Sequence, residues 1–141
     1  MSADVKRRDI VNAPAPKGAY SQAVQAGDFL FVSGQGPIEP ASNEFAFGDI
    51  RQETKLALEN VKRVLEGCGA SLSDIVKCSV FLAEASDFAA MNEVYAAFFK
   101  GSAPARTTVQ ATLVEPGMKV EIDCIAYHPA LPTLKNGSVI G

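Results

Sequence analysis

The chain has 141 residues, 48% of them hydrophobic and 21% charged, which fits one globular domain burying roughly two-thirds of its unfolded surface. A formal charge of −3 and a pI near 5.1 argue against a surface that tracks nucleic-acid phosphates. Cys68, Cys78 and Cys124 are odd in number, lack CxxC spacing and lie in apolar contexts, so they read as reduced core residues of a cytoplasmic protein.

Residues 1–12 are basic without the apolar stretch of a signal peptide, and no run is apolar enough to span a membrane, so neither secretion nor insertion is expected. Residues 13–22 carry two prolines and a glycine within six positions, which excludes a helix and predicts a loop. Ala23 to Gln25, a turn at 26–28 and the run Phe29 to Ser33 read as a hairpin. The run 29–32 lacks polar alternation, which predicts a strand covered on both faces, by helices on one side and another subunit on the other. It ends in Ser33-Gly-Gln-Gly-Pro37, where two glycines let backbone approach a ligand, although the lysine and Ser/Thr of a phosphate loop are missing.

A possible extra strand precedes a helix capped by Asp49, with Gln52 completing a capping box. Ile50, Ala57, Leu58, Val61, Val64, Leu65 and Cys68 share its apolar face, and Gly67 and Gly69 end it. Residues 75–82 alternate, with Val76, Cys78, Val80 and Leu82 on the buried side. A second helix starts at Ser86 or Asp87, with a core stripe of Phe88, Met91, Val94, Tyr95, Phe98 and Phe99. Asn92 falls off that stripe, either solvated or bonded to a loop or ligand.

Residues 104–121 then read as two strands joined at Glu115-Pro116-Gly117, the second continuing with Val120, Ile122, Cys124 and Ala126 on one face. This pattern gives two βα-type units with both helices on one face of the sheet. The expected organisation is a single domain: an N-terminal segment 1–12, a core 13–127 and a tail 128–141.

The hairpin reading brings Arg106 and Glu121 to neighbouring rows of one sheet. Two interpretations are open: a structural ion pair, or a site in which the guanidinium grips a carboxylate and Glu121 holds or deprotonates a water. His128 is the sole histidine, so neither a zinc site nor a histidine-dependent triad assembles around it. What remains is chemistry run on carboxylate recognition, backbone amides and one carboxylate base.

Five stretches, Gly18-Ala-Tyr-Ser-Gln, Val32-Ser-Gly-Gln, Asp87 to Tyr95, Pro104-Ala-Arg-Thr-Thr-Val and Val120-Glu-Ile-Asp, together resemble the RidA/YjgF family of enamine/imine deaminases, also labelled L-PSP endoribonucleases. The resemblance implies an α+β, chorismate-mutase-like mixed sheet with two helices on one face, in homotrimers with clefts between subunits. It further implies that Arg106 holds the substrate carboxylate and Glu121 positions the hydrolytic water. Tyr20, Ser33, Gly34, Asn92 and Thr108 would line the cleft, with no metal or other cofactor. Ala19 and Gly36 depart from the family's usual proline and branched apolar residue, and the connection 100–103 is short.

The reaction implied is hydrolysis of 2-imino acids, formed from 2-aminoacrylate-type enamines, to 2-keto acids and ammonia. An alternative is a non-catalytic module that binds a keto acid. A third, an endoribonuclease, is disfavoured by the acidic charge and the lone histidine.

Overall fold

The frame of the fold is Val120–Tyr127, whose alternate residues Val120, Ile122, Cys124 and Ala126 are almost wholly buried. The structure is a computed structural model and describes residues 4–129. Its strands are β1 (Val5–Arg8), β2 (Ala23–Ala26), β3 (Phe29–Gln35), β4 (Ile38–Glu39), β5 (Glu44–Phe45), β6 (Ile75–Leu82), β7 (Ala105–Gln110) and β8 (Val120–Tyr127). The helices are α1 (Ile50–Gly67) and α2 (Phe88–Phe98). The main sheet runs β1-β2-β3-β8-β6-β7, with β4 and β5 forming a small separate hairpin. Pairing is antiparallel except between β6 and β7. It is a mixed sheet backed by two helices, the α+β architecture expected from the sequence.

Helix α1 forms where the sequence places it. Asp49 Oδ1 accepts from the Gln52 amide at 2.8 Å while Gln52 Oε1 accepts from the Asp49 amide at 2.9 Å, closing the capping box. Its apolar face enters one core with Leu30, Val32, Cys78, Val80, Leu82 and the inward residues of β8. Three polar side chains inside this core hold irregular backbone that has no ladder of its own. Gln22 donates to the carbonyls of Ile10 and Pro14 at 2.9 Å and accepts from the Ile10 amide at 2.6 Å, which fixes the loop 10–22. Asn60 donates to the carbonyls of Gly36 and Ile38 at 3.0 and 2.8 Å. Fully buried Glu53 accepts from the amides of Gly48 and Lys119, with the Lys119 ammonium at 3.4 Å.

Several expectations need correction. Residues 104–121 are not a hairpin, because β6 lies between β7 and β8 and pairs with both. The connection from β6 through α2 to β7 is a parallel crossover, and the turn at 115–117 carries the chain past β6 to β8. In β3 the expectation is not overturned: Leu30 and Val32 are buried on the core side, and Phe29 and Phe31, 41% and 45% exposed in the single chain, form the opposite face, the one assigned to another subunit. Ile75, not Val76, faces the core, because the register with β8 shifts between Ile75 and Lys77. The stripe on α2 centres on Met91, Tyr95 and Phe99, with Phe98 partly buried against the core and Phe88 exposed. Strand β1, which local pattern does not predict, pairs with β2. The predicted tail lies, from residue 130 onward, outside the described residues.

Candidate active site

Strand β3 does not pair evenly with β8. Val32 opposes Cys124 and Gln35 opposes Ile122, so Ser33 and Gly34 together oppose Asp123 alone. Such a bulge turns both residues toward the same side and spares backbone groups from the ladder. On that side, away from the helices, stands Glu121. Its carboxylate fills the space that a β-carbon on Gly34 would occupy, so only glycine admits it there. Burial, and secondly the charge of Asp123 two residues along the same face, push the Glu121 pKa above the ordinary carboxylate value.

A cavity of about 590 Å³ opens here, lined by Tyr20, Ser33, Gly34 and Glu121 and continuing past Gly36 to Met118. Tyr20 is held by its hydroxyl, which accepts from the Lys17 amide at 3.0 Å. The Ser33 hydroxyl donates to the Ser21 carbonyl at 2.6 Å, leaving its lone pairs free to accept from a ligand.

Arg106 lies elsewhere. It pairs in register with Cys78, three residues from Phe81, the partner of Glu121. An odd separation along β6 puts the two side chains on opposite faces of the sheet. Thus a single chain does not join Arg106 to Glu121, and the structural ion-pair reading fails. The guanidinium instead lies over the rings of Tyr95 at 4.6 Å and Phe88 at 5.4 Å, and no carboxylate among the described residues forms a salt bridge with it. Stacked in this way, the charge keeps its outward N–H groups for a ligand.

Asn92 is half-buried, four residues from Phe88 and three from Tyr95, so it shares their face of α2 rather than falling off the stripe. Thr108, two residues beyond Arg106 on the same face of β7, has a buried hydroxyl with no hydrogen-bond partner. The predicted residues therefore separate into two groups. Tyr20, Ser33, Gly34 and Glu121 belong to the cavity, while Asn92, Arg106 and Thr108 gather along the free edge of β7.

Burial raises the pKa of the Cys78 and Cys124 thiols, which disfavours the thiolate form a nucleophile needs. His128 sits 3.2 Å from Asp74, away from both groups. Lys17, Phe45, Glu115 and Met118 also line the cavity but were not singled out from the sequence. Gln22, Asn60 and Glu53, which fix the surrounding backbone, were missed too. The last two are seven residues apart on the apolar arc of α1, and a polar residue on such an arc is a readable signal of a buried anchor.

The family model for Endoribonuclease L-PSP matches residues 10–128. The chain belongs to the RidA/YjgF family. It is 49% identical over 116 residues to a RutC family protein of Pyrococcus horikoshii, covering 82% of this chain and 92% of that one. It is 40% identical, also over 116 residues, to the 2-iminobutanoate/2-iminopropanoate deaminase of Mus musculus, covering 82% and 86%. Among solved structures of RidA-type proteins, E. coli TdcF with bound serine superposes with a TM-score of 0.81 at 37% identity, covering 87% of this chain and 98% of that one.

Proposed function

We propose that this RidA-family chain is an imine deaminase, hydrolysing 2-imino acids to 2-keto acids and ammonia. The observation that carries the reading is the Glu121 carboxylate seated over Gly34, its proton affinity raised by burial, beside Tyr20 and Ser33. A carboxylate so placed accepts a proton from water as the oxygen attacks the imine carbon. The imine reacts in its protonated form, so the C=N π pair moves to a cationic nitrogen and gives a neutral carbinolamine. Its collapse expels ammonia, with Glu121 returning the proton to the leaving nitrogen and the hydroxyl proton lost to solvent. The names of the mammalian relatives and the serine bound by TdcF support a small substrate built on an amino-acid skeleton.

Arg106 supplies the carboxylate clamp, with Thr108 and Asn92 as polar neighbours. Since one chain holds Arg106 and Glu121 on opposite faces, the working site is formed where β7 of one subunit meets the cavity of the next. The face away from the helices supports such packing. It presents Phe29, Phe31 and Tyr127, with the Phe29 and Tyr127 rings 5.0 Å apart, an apolar surface suited to burial in a homotrimer. None of the helices of the described residues is long and apolar enough to cross a membrane.

The test is ammonia release from iminopropanoate generated in situ. Wild type accelerates it, and Arg106→Lys, which keeps the charge but loses the planar fork, is about ten- to a hundredfold slower in kcat/KM. Unchanged turnover in Arg106→Ala overturns the reading.

A further inference from the structure

The cavity has two ends of different chemistry. Its lining runs from Ser33, Gly34 and Glu121 on antiparallel β3 and β8 to Gly36, Ile38 and Met118 just beyond the adjoining ends of those strands. At that second end Phe45 forms a wall, and Val114, 97% exposed, lies at the rim. A 2-imino acid with its reacting carbon at Glu121 must direct its side chain somewhere, and this continuation is the apolar space adjoining that carbon.

We propose that the Gly36–Met118 end is the side-chain subsite, and that it selects 2-imino acids bearing a branched or aromatic apolar side chain over those bearing a methyl. This rests on the deaminase reading above. The depth of the subsite is set by one contact. A β-carbon on Gly36 would lie 2.7 Å from Met118 Sδ, so the thioether occupies the space next to the bare glycine and forms the floor. Met118 is 6% exposed, and Asn60 pins the backbone on either side of Pro37 through the Gly36 and Ile38 carbonyls. The frame of the floor is thus fixed while its surface is an unbranched side chain that repacks around different shapes.

Acidic side chains are disfavoured. One cation, Lys17, stands at this end, its Nζ donating to the Asn43 carbonyl at 2.5 Å and 5.0 Å from the centre of the Phe45 ring, and the carboxylates of the lining outnumber it. Glu115 and Glu121 contribute carboxylates to the walls, which repel a second negative group on the substrate.

The experiment measures kcat/KM for imines generated in situ from alanine, leucine, phenylalanine and aspartate by amino-acid oxidases. Wild type is expected to favour the leucine- and phenylalanine-derived imines over the alanine-derived one by about tenfold or more, the discrimination an apolar pocket gives for added methylenes. The aspartate-derived imine is expected to be the slowest. Gly36→Val, which drives a branched side chain into the floor, should lower the leucine-to-alanine ratio about tenfold. Met118→Ala, which deepens the floor, should raise the phenylalanine-to-leucine ratio.

Turnover with a leucine-to-alanine ratio near one, or a leucine-to-alanine ratio unmoved by Gly36→Val together with a phenylalanine-to-leucine ratio unmoved by Met118→Ala, overturns the subsite and leaves the deaminase reading standing. Absence of turnover with every imine overturns the deaminase reading, and the subsite with it.

Discussion

The Glu121 carboxylate occupies the place where Gly34 would carry a β-carbon, across the bulge that β3 makes against β8. Gly34 does not have a positive φ, so its backbone accepts alanine and the conflict is with the carboxylate alone. Gly34→Ala should therefore fold, with a modest fall in Tm. Its kcat/KM should drop by about a hundredfold, because displacing a base by about 1 Å costs that much. Imine hydrolysis at the wild-type rate in Gly34→Ala would remove Glu121 from the chemistry.

The second prediction concerns pH. Burial and the neighbouring charge of Asp123 raise the Glu121 pKa, so a base that must be ionised loses activity as pH falls through a value above the usual carboxylate range. Asp123→Asn removes the nearby negative charge, easing ionisation of Glu121. The acid limb of its pH–rate profile should move to lower pH. Linkage gives a parallel sign for stability: the folded chain holds the Glu121 proton more tightly than the unfolded chain does. The group's relative contribution is therefore most favourable below its unfolded pKa and is lost as pH rises through the folded one. In Glu121→Gln that loss should vanish from the pH dependence of urea unfolding.

Much of the fold follows from local pattern, and the exceptions have identifiable causes. The capping box at Asp49, the apolar face of α1 and the alternation of β8 are properties of contiguous residues, so they are readable. Strand neighbours are not. Arg106 and Glu121 flank a Pro-Gly turn, yet β6 separates their strands because its inward residues Cys78, Val80 and Leu82 pair with both. The site residues were legible as motifs, but their division between two faces was not. Neither the bulge at Ser33–Gly34 nor the placement of β6 leaves a mark in hydrophobic periodicity. The run Phe29 to Val32 is a different case, since its lack of polar alternation marks a second apolar face, which the single chain leaves exposed at Phe29 and Phe31.

Glu53 provides a test of how the site is supported. Its carboxylate is fully buried, accepts from the Gly48 and Lys119 amides, and joins the start of α1 to the segment entering β8. Glu53→Ala strands both amides and frees the Lys119 ammonium. Destabilisation of about 3 kcal/mol is expected, read as a lower urea midpoint at unchanged slope. A loss under about 0.5 kcal/mol would show that water replaces the carboxylate at little cost.

The final prediction concerns the division of the site between subunits. If Arg106 of one subunit serves the Glu121 cavity of the next, Arg106→Ala and Glu121→Gln proteins are each inactive, yet each retains an intact half. Refolded together in equal amounts, they should form mixed assemblies that regain about a quarter of wild-type activity, the chance that a site draws both intact halves at random. The assembly itself should sediment at three times the 14.9 kDa chain mass. Phe31→Asp, which puts a charge on the exposed aromatic face, should release monomers and abolish turnover together, because a monomer keeps its two groups apart. Recovery on mixing is the decisive arm, since a site complete within one chain gives two inactive proteins and an inactive mixture.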